Sequence, residues 1–132
     1  MDYQQARDYF LSKPEAWEDF PFYPDVAVFK VKDKMFATLS EEKGVVRTNL
    51  KCDPEQAEVL RMLFEGVKPG YHMNKRHWNT VLLDGTVPDG EIRRMIDHSY
   101  SLVFKGLKKS ERHAMELLYS ADSLHGDSGD NR

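Results

Sequence analysis

Apolar positions repeat at helical spacing near both ends of the chain and at a spacing of two in between. Tyr3, Ala6 and Phe10 share one side of a helical run that Pro14 stops, so residues 2–13 predict a short amphipathic helix that needs a partner surface. Ala27, Phe29 and Val31 then alternate with Lys30 and Lys32. Asp33-Lys34 reads as a tight connection, and Met35 to Ser40 as a returning strand. Glu41 to Gly44 supplies the next turn, its glycine suited to a positive φ, and Val45 to Leu50 is a third strand. Three consecutive strands with short polar turns predict an antiparallel meander. Ahead of it, Trp17 to Pro24 is dense in aromatics and broken by two prolines, which fits a short edge strand running into a bend.

Asp53-Pro54-Glu55-Gln56 carries the signals of a helix start: an aspartate cap, proline in the first turn and a glutamine at the capping-box position. Ala57, Leu60, Leu63 and Phe64 line one face of that helix, and Gly66 ends it. Pro69-Gly70 breaks the chain, Tyr71 to Met73 predicts a short strand and Trp78 to Leu83 its partner. That hairpin would carry Asn74, Lys75 and Arg76 at its tip. Ile92, Met95, Ile96, Ser99, Tyr100 and Val103 form the cleanest helical stripe, expected to lie across the sheet and stop at Gly106. Lys108 to Arg112 is charged, His113 to Tyr119 adds a helical turn or two, and the tail from about Ser120 is expected to be disordered.

One domain fits the length of 132 residues, and 40% hydrophobic content supports a true core. A formal charge of −3 excludes a strongly basic nucleic-acid coat, so any polyanion contact must come from a local patch. A single cysteine, Cys52, excludes an internal disulfide and points to a reducing compartment. With no signal-peptide pattern at Met1 to Gln5 and no apolar run of spanning length, the expectation is a cytoplasmic monomer with no membrane contact.

The chemistry-bearing residues concentrate between Lys68 and Val81, where cations, amides, imidazoles and large aromatics occur without a carboxylate. Arg and Lys neutralise phosphates, Asn74 and Asn79 can bond bases or backbone, and Tyr71 or Trp78 can stack on an exposed base. The structural alternative has Tyr71 and Trp78 in the core and Lys75 and Arg76 solubilising a turn. Lys30, Lys32 and Arg47 could form a modest basic stripe on one strand face, or be ordinary surface charge. His72 and His77 could approach each other in a hairpin, but they lack the further ligands that structural zinc needs. Asp97-His98-Ser99 has triad residue types on helix neighbours that point in different directions, Glu18-Asp19 lacks a spaced partner, and Cys52 precedes a helix cap without a nearby histidine. No phosphate-binding glycine loop is present. Neither catalysis, a metal nor a cofactor is expected.

The run Pro69 to Val81 resembles the signature of the MmcQ/YjbR family of small bacterial proteins. Phe20-Pro21-Phe22 leading into Asp25 to Val31, then Lys34 to Ala37, then Ile96 to Tyr100 agree with it in order, so the resemblance covers roughly residues 1–112 and leaves 113–132 as an extension. It implies an α+β domain with a CyaY-like arrangement, an antiparallel sheet of hairpins with helices packed on one side. It also implies DNA binding through a double wing, with wings among residues 27–50 and around Asn74 to Thr80.

The leading expectation is therefore nucleic-acid contact through hairpin wings, with Arg47, Lys75 and Arg76 on phosphates. Tyr71, His72, Asn74, His77 and Asn79 would supply stacking and polar contacts. A protein-interaction or chaperone-like adaptor using the sheet face or edge is the second expectation. The third is a small-ligand pocket lined by Tyr71, His72, Trp78 and Asn79.

Overall fold

The computed structural model describes residues 1–125. The elements run α1 (Tyr3–Leu11), β1 (Ala16–Asp19), β2 (Ala27–Val31), β3 (Lys34–Glu42), β4 (Val45–Lys51), α2 (Pro54–Leu63), β5 (Val67–Pro69), β6 (Trp78–Leu82), α3 (Asp89–Lys105), α4 (Lys109–Leu118) and α5 (Ala121–His125). The six strands form one sheet in the order β1-β2-β3-β4-β6-β5, and every neighbouring pair is antiparallel. The predicted meander and edge strand occupy the first four places. β6 then pairs with β4, which sends the short β5 to the far edge.

Register decides which side chains share a face. Phe29 stands opposite Ala37, Ala37 opposite Leu50, and Leu50 opposite Asn79. With alternation along each strand, Ala27, Leu39, Thr48 and Val81 join that face. Helices cover it. The Phe10 ring of α1 lies 4.7 Å from Phe29 and 6.2 Å from Phe36, and Phe36 meets Tyr100 of α3 edge-on at 5.3 Å. A register shift between Phe29 and Lys30 places an extra residue in β3, and Phe36 and Ala37 are both buried there. The α+β class with helices on one side is thus the observed arrangement.

Helix α3 is pegged to its surroundings by three consecutive polar residues. The Asp97 carboxylate accepts from the Tyr9 hydroxyl at 2.7 Å and from the Lys13 ammonium. His98 Nε2 accepts from the Asp53 N–H, and Ser99 Oγ donates to the Phe36 carbonyl while accepting from the Lys51 N–H. Three side chains reach three different places, so the triad residue types form no relay. The other acidic pair is likewise structural: Glu18 accepts from two nitrogens of Arg7, and Asp19 pairs with Lys30 at 3.0 Å.

Several boundaries differ from the sequence reading. The β2–β3 turn is Lys32-Asp33, with Lys32 at φ 54°, one residue earlier than expected. β3 and β4 extend to Glu42 and Lys51 and are joined by Lys43-Gly44, both at positive φ, as a two-residue hairpin turn of the kind that matches strand twist requires. α2 ends at Leu63, with Phe64 already extended. Tyr71 to Met73 is not a strand; the partner of β6 is Val67–Pro69 instead. Residues expected to be disordered from Ser120 form α5 as far as His125, held by the buried Leu124 and by His125 edge-on to Phe104; the remainder of that expectation lies outside the described residues.

Candidate functional site

Residues 70–77 form a long loop between β5 and β6, and the loop is fastened to the sheet. At its start the Gly70 N–H donates to the Trp78 carbonyl at 2.9 Å. A Cβ at Gly70 would lie 2.9 Å from Trp78 backbone oxygen and 3.0 Å from the Met73 side chain, so this close approach requires glycine. The Tyr71 N–H donates to Thr80 Oγ1 at 2.9 Å, and Asn49 Nδ2 donates to the Tyr71 carbonyl. Thr80 in turn donates to Asn49 Oδ1 at 2.5 Å, and the Asn49 N–H donates to Thr38 Oγ1. A row of short polar side chains across β3, β4 and β6 therefore holds the loop against the sheet face that no helix covers.

The tip is fixed from the other side. Asn74 Oδ1 accepts from the Arg76 and His77 N–H groups, closing a tight turn. Arg61 of α2 donates to the Lys75 carbonyl and, through Nε, to Asn79 Oδ1 at 2.7 Å. Nδ2 of Asn79 donates to the Ala57 carbonyl, and the residue is only 2% exposed. Asn79 is thus removed from any contact surface: its position in β6 points it to the helix side, opposite Leu50. The expected wing tip is likewise a clamped loop instead of a free hairpin end.

Of the other predicted site residues, Arg47, Tyr71 and His72 come together at the open face, while Asn74, Lys75, Arg76 and His77 lie in the clamped tip of the loop. Tyr71 is 52% exposed, its ring 4.0 Å from the His72 imidazole. His72 is held at φ 60°, a left-handed conformation uncommon for a residue with a side chain. The Arg47 guanidinium lies over the Tyr71 ring at 5.5 Å and pairs with Glu42 at 3.2 Å, while its buried Nε has no hydrogen-bond partner among the described residues. Lys75 Nζ bonds the Gly70 carbonyl, and Arg76 is exposed with no ion pair among the described residues. His77 is half-buried, and its carbonyl accepts from the Cys52 N–H at 2.8 Å. Trp78 begins β6 on the open side, opposite Lys51. Of the basic stripe, Lys30 and Arg47 share that side, whereas Lys32 is at a turn and bonded to Glu15.

Three functional positions escaped the sequence reading: Asn49 and Thr80, which fasten the loop, and Arg61, which clamps its tip. The alternation Arg47, Asn49, Lys51 along one face of β4 was the available signal, since asparagine is depleted in strands unless its amide is engaged. A second aromatic station lies at the other edge of the same face. Trp17 on β1 is 43% exposed, its indole N–H bonds the Lys32 carbonyl, and Lys30 sits 5.1 Å from its ring centre. Phe20, Phe22 and Tyr23 follow it, also exposed.

Cys52 is buried, and burial foremost, with Asp53 adding to it, pushes its thiol up to about 11, far from the thiolate form a nucleophile needs. Among the described residues no three His, Cys, Asp or Glu side chains converge as a metal site, and no helix is long and apolar enough to cross a membrane.

Comparison with known proteins places this geometry in a family. The family described as YjbR matches residues 11–102. The chain is 35% identical to the uncharacterized protein YjbR of Escherichia coli K12 over 112 residues, covering 85% of this chain and 95% of that one. It is 32% identical to the uncharacterized protein YyaQ of Bacillus subtilis over 110 residues, covering 76% and 92%. A crystal structure of the Deinococcus radiodurans protein DR2400, a DUF419 domain, superposes with a TM-score of 0.81 at 37% identity over 94% of both chains. A Pseudomonas syringae protein superposes at 0.70 with 37% identity, over 77% of this chain and 98% of that one. Sequence signature, sheet order and these likenesses agree: the chain belongs to the YjbR family.

Proposed function

We propose that this protein binds nucleic acid, without catalysis, through the 70–77 loop and the adjoining open face of β4 and β6. The observation that carries the proposal is a segregation of charge. Residues 66–83 contain Lys68, Lys75 and Arg76 and no carboxylate, in a chain whose formal charge is −3. Arg47 and Lys51 stand beside them on β4. Fastening the loop by backbone bonds leaves its cations presented without further ordering, which lowers the entropic cost of contact. Phosphates would be met by Lys75, Arg76 and Arg47, with Tyr71 and His72 offered to a base. Few cations and an acidic whole favour weak, strongly salt-dependent binding.

The test is fluorescence anisotropy of labelled mixed-sequence DNA, single-stranded and duplex, at low and physiological salt. Replacing Lys75 and Arg76 together by alanine should weaken binding to all sequences alike and flatten the salt slope by about two units. Unchanged affinity and slope would remove the loop as the contact.

A second reading, docking of a protein partner, has its own observation on the opposite side. Val59, Met62 and Leu63 of α2 are exposed, Met62 at 85%, beside a shallow groove of about 260 Å³ lined by Glu55, Gln56, Val59 and Leu60. The two readings separate cleanly. Met62→Glu with Leu63→Glu should leave DNA affinity untouched if the loop face is the functional one.

A further inference from the structure

We infer that the ligand of the open face is a single strand and not a duplex, laid across the sheet from the Tyr71 side to Trp17. The inference rests on the nucleic-acid reading and specifies its substrate class. Two aromatic side chains, each about half open, stand on this face at separate places: Tyr71 over the interior strand β4 and Trp17 on the edge strand β1. Each has a cation from the sheet against its ring, Arg47 at 5.5 Å and Lys30 at 5.1 Å, which fixes the ring and places positive charge next to any base stacked there. β1 and β4 are three strand spacings apart, about 14 Å, and the Arg47 and Trp17 rows are offset by about four residues along the strands, about 13 Å. The two stations therefore lie about 20 Å apart, room for a short run of nucleotides. Between them on the central strands Val28 is fully buried and Thr38 nearly so, while Asn49 is half-buried and uncharged, so no carboxylate stands in the path. The carboxylates on this side, Asp19 and Glu42, lie at strand ends and are already paired with Lys30 and Arg47.

Three of the four hairpin connections, those expected to act as wings, are ill suited to a duplex groove. The β3–β4 turn carries the single cation Lys43 beside Glu41, whose charge opposes phosphate, and beside Glu42, which is paired with Arg47. In the β2–β3 turn the Lys32 ammonium is held by Glu15 at 2.6 Å, beside Asp33. The 70–77 loop is bonded down on Thr80 and Asn49 and does not project as a ribbon. Stacking requires bases with free faces, which a single strand offers and an intact duplex does not.

The experiment compares a labelled twelve-nucleotide oligothymidylate, the corresponding oligouridylate and a twelve-base-pair duplex at one low salt concentration, by anisotropy. The full chain is used as wild type, Tyr71→Ala, Trp17→Ala and Trp17→Phe, each checked for folding by circular dichroism. The inference expects single strands to bind at least ten-fold tighter than the duplex. Tyr71→Ala and Trp17→Ala should each lower single-strand affinity roughly ten-fold, the usual worth of one stacked base, with Trp17→Phe retaining most of it. Equal or tighter binding of the duplex, or a Trp17→Ala variant that binds single strands like the wild type, overturns the inference and leaves loop-mediated binding standing. Binding of none of the three overturns the nucleic-acid reading itself.

Discussion

Asn79 and Thr80 are neighbours in β6, and they show how differently the two faces of this sheet use polar groups. Asn79 points to the helix side, where Arg61 and the Ala57 carbonyl occupy its amide and burial is nearly complete. Thr80 points to the open side, where its hydroxyl binds Asn49 and holds the Tyr71 N–H. Both side chains serve the same loop, one by locking Arg61 against its tip and the other by seating its start. On the helix side, the Asn79 amide is sealed beneath α2, on the same side of the sheet as the aromatic core of Phe10, Phe29, Phe36 and Tyr100, to fix the fold. On the open side they position groups that remain accessible. The same strand alternation thus separates stability from display at single-residue resolution.

The comparison can be broken most forcefully from the helix side. Phe29→Ala removes a ring 4.7 Å from Phe10 and leaves a cavity in the shared core, so unfolding free energy should fall by about 3–5 kcal/mol in urea titrations. Asn79→Ala leaves the buried part of Arg61 short of an acceptor; the expected loss is about 1–3 kcal/mol, with amide exchange rising in residues 74–77 because their clamp is gone. Thr80→Val keeps the shape of the open face and removes the acceptor of the Tyr71 N–H. About 1 kcal/mol should be lost, and the exchange protection of the Tyr71 amide with it. Should Thr80→Val destabilise as much as Phe29→Ala, the division between faces would fail.

The smallest expected effect is electrostatic. Burial, with Lys105 adding to it and Asp53 opposing, lowers the pKa of His98, whose Nε2 must stay unprotonated to accept the Asp53 N–H. The neutral form is therefore the one favoured by folding. Its contribution is complete above the ordinary histidine pKa of about 6.5 and is lost as pH falls below that value through the folded-state pKa. Melting temperature should decline more between pH 7.5 and 5.5 in the wild type than in His98→Gln, and parallel curves would exclude this site as the source.

How far the chain could be read in advance follows from the same division. The strands 27–50, the Asp53-Pro54 cap and the α3 stripe were legible because each is set by local spacing and local chemistry. β5 was not, since three residues ending in Pro69 carry no alternation and take their strand form from pairing with β6. The cations and aromatics of the site could be picked out by type. Their arrangement could not, because Asn49 meets Tyr71 across 22 residues and Thr80 meets Asn49 across 31, distances at which no periodicity speaks. Asn79 was misplaced for a related reason: which way β6 faces depends on its register with β4, not on its own sequence. Residues 121–125 looked too polar to order, yet one buried leucine and one ring contact suffice to seat a short helix on α3.

The most direct test of a functional open face is a two-dimensional amide NMR titration of the full chain with oligothymidylate at low salt. Chemical-shift changes should concentrate at Thr38, Arg47, Asn49, Lys75, Arg76 and the Tyr71-His72 pair, grow with nucleotide concentration and reverse on adding salt, while Val59, Met62 and Leu63 stay fixed. Shifts centred on α2 would contradict the account and move the functional surface to the other side of the molecule, and none at any concentration would overturn nucleic-acid binding itself.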